Sequence, residues 1–157
     1  MNRKDLGFTL IEIIVVLLLI SIIAATVFGR ATNTDRLNFI AQVDKIRNHV
    51  RYPQSMAMKL SGFWGFSCDS SDYWIFSGTN ENNVTAQKIL PGERTVKVAL
   101  NDLGVTMEAF TLYFDRYGRP FWTNWTNPIA VEEEVNVTDS GSFSQSIKII
   151  GETGLVE

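Results

Sequence analysis

Glu12 is an isolated carboxylate in a long apolar run, and the chemistry it offers is ion pairing. It is the only charged residue between Asp5 and Arg30. An ionised carboxylate in hydrocarbon costs roughly 2.5–3.5 kcal/mol on insertion scales, so such residues usually have a partner and a function. No Lys, Arg or His lies within helical reach on the apolar side. The counter-charge is therefore expected from another chain or from a terminus created by processing.

The single histidine and the single cysteine do not indicate a catalytic or metal site. His49 lies between Arg47 and Arg51 in a helical stretch, and we predict a solvated residue on the helix face. Cys68 is the only cysteine, which excludes an internal disulfide and a cysteine-based metal site. We expect a small, partly buried thiol, with an intermolecular disulfide or a reactive thiol as the alternative.

The acidic residues do not form a convergent pair or cluster. Glu132, Glu133 and Glu134 are consecutive, and neighbouring side chains of a strand point to opposite faces. We predict a solvated loop or strand end for these glutamates, with weak Ca²⁺ binding together with Asp139 as the alternative. Because no phosphate loop, zinc motif or paired Cys-x-x-Cys is present, we expect no enzymatic activity, no cofactor and no metal.

Composition favours one globular domain together with a membrane segment. The chain has 157 residues, of which 45% are hydrophobic and 20% are charged, and its formal net charge is −3. Lys and Arg are scattered rather than grouped in a basic patch, so we predict no nucleic-acid partner.

Residues 8–28 form an uninterrupted apolar run apart from Glu12. At about 1.5 Å per residue a helix over this run reaches the ~30 Å thickness of the hydrocarbon layer. Arg3 and Lys4 precede it, which predicts a cytoplasmic N-terminus with the rest of the chain across the membrane. A removable signal peptide, cut near Ala24-Ala25, is one alternative, although its apolar region is usually shorter. A generic signal anchor is another, but it leaves Glu12 unexplained.

Residues 7–12, Gly-Phe-Thr-Leu-Ile-Glu, follow a short basic leader and precede the apolar helix. This combination resembles the processing signal of type IV prepilins and type II secretion pseudopilins. The resemblance implies that prepilin peptidase, a membrane aspartic peptidase, cuts between Gly7 and Phe8 and methylates the new Phe8 amine. It also implies that Glu12 pairs with the Phe8 amine of an adjacent subunit and sets the register of a filament.

The same resemblance implies where the protein resides and what it contacts. Before assembly the chain would be a single-pass inner-membrane protein with a cytoplasmic N-terminus and a periplasmic head. After assembly it would belong to a pilus or pseudopilus. The implied partners are other pilin or pseudopilin subunits, the prepilin peptidase, the inner-membrane assembly platform and the lipid bilayer.

A finer resemblance involves three further segments, 51–58, 114–120 and 147–156. They are similar to H-type minor pseudopilins, T-type fimbrial minor pilins and the C-type minor pilin of mannose-sensitive haemagglutinin pili. Major pilins usually end in a cysteine-closed loop, which a single cysteine cannot form, and no Ca²⁺ loop like that of the major pseudopilin is evident. The resemblance therefore implies a minor subunit that incorporates into, initiates or caps a filament.

The aromatic residues support an alternative function. We predict that Trp64, Trp74, Trp122 and Trp125 mostly pack in the core, but exposed aromatics would favour a binding module. In that alternative the chain is a membrane-anchored periplasmic protein that binds a partner through its head, or, less favoured, an enzyme.

The elements that position these residues are a long helix and a β-rich head. We predict a cleaved leader over 1–7, a transmembrane or filament-core helix over 8–29, an amphipathic helix over 30–60 and a globular head over 61–157. Pro53 predicts either a kink or a helix end followed by a second helix over 54–60, and the unchanged phase of the apolar stripe across Pro53 favours the kink. Ser61-Gly62 predicts the final end. The apolar stripe of the amphipathic part comprises Phe39, Val43, Ile46, Val50, Pro53, Ala57 and Leu60.

Turn residues divide the remaining chain into short segments of strand character. The predicted strands span 63–68, 73–77, 84–90, 95–99, 109–114, 121–126, 134–138 and 145–150. No helical stretches alternate with them, which favours antiparallel pairing. The predicted fold class is α+β and pilin-like: a long N-terminal helix from the membrane into the periplasm, packed on an antiparallel β-rich head.

Overall fold

The computed structural model describes residues 9–78, 84–122, 128–140 and 143–157, without the side chains of 27–33 and 84–86. The chain divides into two compact units, Met1–Asn38 and Phe39–Glu157. The described part of the first unit is helical. The second unit combines a helix with two antiparallel sheets, so the predicted α+β class is confirmed.

Helix α1 spans Leu10–Leu60 and contains Pro53. The alternative of a helix end at Pro53, with a second helix after it, is therefore wrong, and the favoured kink stays a prediction. Proline removes only one backbone donor from the helix. Pro53 is itself buried, as part of the apolar stripe of α1 in the second unit. The predicted buried stripe is confirmed for Phe39, Val43, Ile46, Val50 and Ala57.

The helix ends where the sequence predicts, through the backbone geometry of Ser61 and Gly62. Ser61 adopts a left-handed conformation with φ 50°, and the Gly62 amide donates to the carbonyl oxygen of Ala57 at 3.3 Å. This is the Schellman arrangement that satisfies the last carbonyls of a helix. Leu60 is 60% exposed at this end, so its predicted burial is wrong.

In the described residues α1 is followed by nine strands and one short helix. In chain order they are β1 Phe63–Cys68, β2 Asp72–Gly78, β3 Val84–Lys88, β4 Val98–Ala99, α2 Leu100–Leu103, β5 Val105–Met107, β6 Phe110–Phe114, β7 Pro120–Trp122, β8 Glu132–Asp139 and β9 Ser144–Ile150. All of these strand pairs are antiparallel. The first sheet has the order β3-β2-β1-β6-β7, with β4 also paired to β2, and the second has the order β5-β8-β9.

Two parts of the strand prediction are wrong, and both involve very short elements. The strand predicted over 95–99 is reduced to β4, and it is followed by the unpredicted helix α2, whose C-cap residue Gly104 has φ 67°. Strand β5 was not predicted, because its three residues are stabilised by pairing with β8, thirty or more positions away. The predicted strand over 121–126 is seen as β7; residues 123–127, including Trp125, lie outside the described residues.

Aromatic side chains fill the middle of the first sheet. Phe66 stacks on Tyr73 at 5.2 Å and on Phe110 at 5.5 Å between ring centroids, and Phe110 stacks on Trp122 at 5.1 Å. The predicted core position of Trp64 is confirmed, since it is 7% exposed. Trp74 and Trp122 are half-buried.

Candidate assembly site and head contacts

The first turn of α1 is capped by Thr9. Its side-chain oxygen accepts a hydrogen bond from the Glu12 amide at 3.3 Å, and its carbonyl oxygen accepts from the amides of Glu12 and Ile13 at 3.1 and 3.3 Å. Thr9 and Glu12 occupy the N-cap and third helical positions of the Ser/Thr-x-x-Glu capping pattern. Sequence reasoning missed this role of Thr9, although the spacing from Thr9 to Glu12 could have indicated it.

Glu12 is exposed in this first turn. Across the described ranges 9–78, 84–122, 128–140 and 143–157, no cation lies within ion-pairing distance of its carboxylate. The positive end of the helix dipole favours a carboxylate at this position. Gly7 and Phe8, the predicted cleavage residues, lie outside the described residues.

The helix from Leu10 to Thr26 carries apolar side chains on every face. Leu10 is 77% exposed, Leu17 is 62% exposed and Ile23 is 61% exposed. The two hydroxyls turn back to the helix: Ser21 donates to the Leu18 carbonyl and Thr26 to the Ile23 carbonyl, each at 2.8 Å. A helix that is apolar all round belongs in a core or in lipid rather than in water.

Within the described residues, no helical stretch meets both the length and the mean hydropathy of a membrane span.

His49 is a buried residue of the second unit, so its predicted position on a solvated face is wrong. It is 5% exposed. Its Nε2 donates to the carbonyl oxygen of Pro91 at 3.2 Å, and a carbonyl can only accept. In the neutral ring Nδ1 therefore accepts from the hydroxyl of Tyr73, 2.9 Å away. The sequence pattern missed this because Arg47 and Arg51 flank His49 in the chain but not on the same helix face.

Burial favours the uncharged forms of His49 and Tyr73. Removal from water lowers the pKa of His49, while the Pro91 hydrogen bond and the nearby Glu93 carboxylate act in the opposite direction. Burial likewise raises the pKa of Tyr73. Glu93 forms an ion pair with Lys45 at 2.6 Å and lies 3.9 Å from Nε2 of His49. The contacts of His49 and Glu93 join α1, β2 and the turn at Pro91. Such contacts hold the fold together and do not indicate a reactive site.

Arg51 and Gln54 connect α1 to two distant parts of the chain. The Arg51 guanidinium donates to the carbonyl oxygen of Val156, through Nε at 2.9 Å and also through Nη2. The Gln54 side-chain amide donates to the carbonyl oxygens of Gly118 at 3.0 Å and Thr153 at 2.9 Å. The three segments 51–58, 114–120 and 147–156, which carried the finer resemblance, thus meet at one junction.

Asp115 organises the turn that contributes to this junction. Its Oδ1 accepts from the amides of Tyr117 and Arg119, each at 2.9 Å, and its Oδ2 accepts from the Arg119 guanidinium through two nitrogens at 2.7 Å. Gly118 has φ 79°, a conformation that glycine adopts readily. These contacts hold the turn in one geometry.

The glutamates of β8 form surface ion pairs. Glu132 and Glu134 lie on one face and approach the Lys148 ammonium at 3.5 and 2.8 Å, and Glu134 is the main cause of the raised pKa of Lys148. Glu132 and Glu134 are exposed and Glu133 is half-exposed, so the predicted solvated strand is confirmed. No group of His, Cys, Asp and Glu in the described part of the chain has a metal-binding arrangement.

In the described residues, Cys68 is buried and the aromatic side chains are mostly buried or half-buried. Cys68 is buried at 3% exposure, in agreement with the predicted buried thiol, and burial raises its pKa. Of the aromatic side chains that the structure describes, Tyr117 alone is exposed, at 64%.

Comparison with known proteins gives one match, and it covers the N-terminal segment. The family model described as the prokaryotic N-terminal methylation motif matches residues 2–28. The matched residues include most of the predicted leader, the Gly7-Phe8 junction, Glu12 and the apolar run as far as residue 28. Neither the curated proteins nor the solved structures include a significant match to the chain.

Proposed function

Because residues 2–28 carry the N-terminal methylation motif of type IV pilins and pseudopilins, we propose that this protein is a minor subunit of a type IV pilus or a type II secretion pseudopilus. It incorporates into the filament, initiates it or caps it after processing by prepilin peptidase. The motif points to a structural rather than an enzymatic protein and to assembly with other pilin subunits.

The single observation that carries the proposal is the apolar helix with Glu12 in its first turn. Side chains on every face of residues 10–26 are apolar and exposed, while Ser21 and Thr26 satisfy their hydroxyls on the helix itself. Such a segment needs an apolar environment all round. The bilayer supplies it before assembly, and the packed helices of neighbouring subunits supply it afterwards.

In this proposal processing creates the partner of Glu12. Cleavage between Gly7 and Phe8 leaves a methylated amine that remains cationic, and the Glu12 carboxylate of a neighbouring subunit pairs with it. Opposite charges attract strongly where water is excluded. The pair sets the axial register of the subunits, with the head on the periplasmic side and the inner-membrane platform acting on the helix.

The proposal that the protein is a minor subunit is supported by the single cysteine of the head. The single Cys68 is buried and cannot close a C-terminal disulfide loop of the kind found in major pilins. The C-terminal residues are held instead by backbone contacts, since the amides of Lys148 and Glu157 donate to each other's carbonyl oxygens at 3.0 and 2.8 Å.

Intact mass of the protein purified from the membrane of its own host tests the processing. The expected result is loss of the seven leader residues (1–7) together with gain of one methyl group. Cleavage near Ala25, or an unprocessed chain, would overturn the proposal.

Replacement of Glu12 tests assembly separately from processing. We expect Glu12→Ala to be cleaved and methylated normally but to be recovered in sheared filaments at roughly a tenth of the wild-type level or less. The substitution leaves the Phe8 amine of the neighbouring subunit buried without a counter-charge, and an unpaired buried charge costs several kcal/mol. Glu132→Ala, which removes an exposed carboxylate of β8, is the matched control. Wild-type incorporation of Glu12→Ala would contradict the assigned role.

One observation supports the alternative function, a membrane-anchored binding module. Tyr117 is exposed and stacked by two arginines, with the guanidinium carbons of Arg116 and Arg119 at 4.9 and 5.5 Å from its ring centroid. A single exposed aromatic side chain supports a contact between subunits as well as it supports a ligand site.

A further inference from the structure

The outer edge of β9 is only partly covered by the described residues. On one side β9 pairs with β8 along its whole length. On the other side residues 155–157 pair with it in antiparallel fashion, and we name them the tail strand. The amides of Lys148 and Glu157 donate to each other's carbonyl oxygens at 3.0 and 2.8 Å. Among the described residues, the tail strand covers β9 from Lys148 to Ile150 and leaves residues 144–147 without a neighbour on this side.

Ser144 and Ser146 direct their backbone hydrogen-bonding groups to this uncovered edge. In an antiparallel pair, alternate residues point their N–H and C=O groups towards the partner strand and away from it. Lys148 points its groups to the tail strand, so Ser146 and Ser144, two and four positions earlier, point theirs to the same side. Ser144 is exposed and Ser146 is half-buried, and no described residue bonds to their outward backbone groups. The edge therefore offers donors and acceptors to a further strand.

Helix α1 runs beside the same edge. The ring of Phe39 stacks on that of Phe143 with their centroids 6.0 Å apart. The Arg51 guanidinium donates to the carbonyl oxygen of Val156 at 2.9 Å. The helix rises about 18 Å between Phe39 and Arg51, and the strand spans about 20 Å between Phe143 and Ile149, the residue bridged to Val156. Because the two lengths agree, the uncovered edge lies along the part of α1 between these two contacts.

Arg47 carries an unused hydrogen-bond donor on this part of α1. It lies one turn before Arg51 on the same helix face. Its Nη1 donates to Asp44, and its side chain is 17% exposed. Its Nε is buried and has no hydrogen-bond partner among the described residues. A buried donor without a partner is costly, so this nitrogen would gain from an acceptor that another chain supplies.

The spacing of the two arginines matches the spacing of a strand. Arg47 and Arg51 are about 6 Å apart along the helix axis. Carbonyl groups that point the same way along a strand are two residues, or about 6.7 Å, apart. A strand that continued the line of the tail strand would therefore place its next outward carbonyl oxygen opposite Ile147 and beside Arg47. It would repeat the contact that Arg51 makes with Val156.

We propose that the edge at Ser144 and Ser146 binds an extended segment of a different pilin subunit, which continues the line of the tail strand. Addition of a strand to a sheet edge derives its affinity from main-chain hydrogen bonds. The chain already uses this mode at the same edge, where the tail strand pairs with Lys148 and Ile150. The segment would bond to both serines and offer its outward carbonyl oxygen to Arg47.

The surroundings of the edge define the chemistry of the segment. Side chains alternate between the two faces of a sheet. The residue opposite Ile147 would lie on the same face as Ile147 and Val156, both of which are buried, so it should be apolar. The residues opposite Ser146 and Ser144 would lie on the face of Lys148 and its ion pairs, so they should be polar. They cannot be proline, because each must donate its amide hydrogen.

The free edge of a second copy of this chain does not fit the same place. The occupant must turn one side to β9 and the other to Arg47. In a second copy the free edge belongs to β9, whose other side is already bonded to β8, whereas a lone segment has both sides available. The neighbour is a pilin subunit only if the proposed function holds, so the contact rests on that function and adds how this subunit meets the next.

Recovery in filaments sheared from the host tests the backbone contact. Ser144→Pro with Ser146→Pro removes both outward amide donors, whereas Ser144→Ala with Ser146→Ala keeps them. Proline is tolerated on edge strands where the N–H group faces away from the sheet. We expect the proline variant at roughly a tenth of the wild-type level or less, because two main-chain hydrogen bonds are lost, and the alanine variant at the wild-type level. Equal recovery of the two variants would overturn the proposal.

Arg47→Met tests the second contact without depending on how the proline variant folds. Methionine keeps much of the packing of the side chain and removes the donor. Since Nε has no described partner and surface ion pairs contribute little to stability, the thermal midpoint of the full-length chain in non-ionic detergent micelles should stay within about 3 °C of the wild type. Recovery in filaments should fall at least about fivefold. Wild-type recovery of Arg47→Met would overturn the proposal.

Arg51→Met is the matched control for Arg47→Met. Arg51 has its acceptor within the chain, the carbonyl oxygen of Val156. We expect this variant to lower the thermal midpoint, because it breaks a contact that the isolated chain makes. An equally large drop in midpoint for Arg47→Met would assign Arg47 a structural role and would overturn the proposal.

Photo-cross-linking identifies the occupant. A p-benzoylphenylalanine that replaces Ser144 in host filaments should cross-link to one segment of a different pilin subunit. That segment should alternate apolar and polar residues and have no proline at the polar ones. Thr106 lies opposite Thr138, which lies opposite Ser144, so the same probe at Thr106 reports the far edge of this sheet and should not give this product. Cross-links to a second copy, or within the chain itself, would overturn the proposal.

The measurements also separate this contact from the proposed function. Intact mass of each variant reports its processing. Normal processing and wild-type filament recovery of the proline and Arg47→Met variants would overturn the edge contact and leave the pilin role standing. An unprocessed wild-type chain that is absent from filaments would overturn both.

Discussion

The imidazole of His49 shows how one buried residue ties three elements of the head together. It accepts a hydrogen bond from Tyr73 on β2 and donates to Pro91 in the turn after β3. The contact with Tyr73 requires the neutral ring, because a protonated ring has no acceptor at Nδ1, whereas Nε2 donates to Pro91 in either protonation state. The charged neighbours are Lys45 and Glu93, which pair with each other.

This residue makes the stability of the head depend on pH. Burial lowers the pKa of His49 below its ordinary value of 6.5, so the unfolded chain binds a proton more readily than the folded one. The stabilising contribution is complete above pH 6.5 and is lost as pH falls towards the folded pKa, with a slope of at most about 1.4 kcal/mol per pH unit.

We therefore expect His49→Gln to reduce the loss of stability on acidification. The measurement is the free energy of unfolding by denaturant between about pH 7.5 and pH 5. Tyr73→Phe, which keeps the titrating ring, should be less stable than the wild type but should retain its pH dependence. Equal pH dependence of the wild type and His49→Gln would contradict this account.

At the scale of elements, the end of α1 depends on a residue in an unfavourable conformation. Ser61 has φ 50°, where a side chain costs roughly 1 kcal/mol relative to glycine. We expect Ser61→Gly to stabilise the protein by about 0.5–1 kcal/mol, measured by thermal or denaturant unfolding. Ser61→Ala keeps the unfavourable side chain and should bring no gain; a similar gain from both would show that the backbone conformation is not the cause.

The strands show which elements a linear pattern can predict. Strand β1 has the predicted bounds, because a run of aromatic residues between turn signals is a local feature. Strands β4 and β5 are two and three residues long, and their pairing partners lie far away in the chain. Such elements depend on the packing of the whole head, so no local pattern predicts them.

At the scale of the whole molecule, the buried side chains are confined to one unit. Among the described residues, every buried hydrophobic side chain lies between Phe39 and Val156, within the unit Phe39–Glu157. This distribution separates the hydrophobic core of the head from the apolar surface of residues 10–26.

We expect the fragment from Phe39 to Glu157 to fold in water without detergent. Its thermal unfolding should be cooperative, with a midpoint within about 5 °C of that of the full-length chain in micelles. A fragment starting at Val50 would lack three core residues of α1, namely Phe39, Val43 and Ile46, and serves as the destabilised comparison. A non-cooperative transition for Phe39–Glu157 would mean that the head needs the preceding helix.

The sequence by itself determined the N-terminal methylation motif, the apolar helix and the position of Glu12, because each of these is a contiguous feature of one linear segment. It also predicted the α+β class and most strands from local patterns. Only the tertiary structure decided that His49 is buried, that Leu60 is exposed, and that Arg51 and Gln54 join segments about 65 to 105 positions away. Those outcomes depend on which face of the helix packs against which strand. That packing is set by contacts between residues far apart in the chain, which local sequence patterns do not contain.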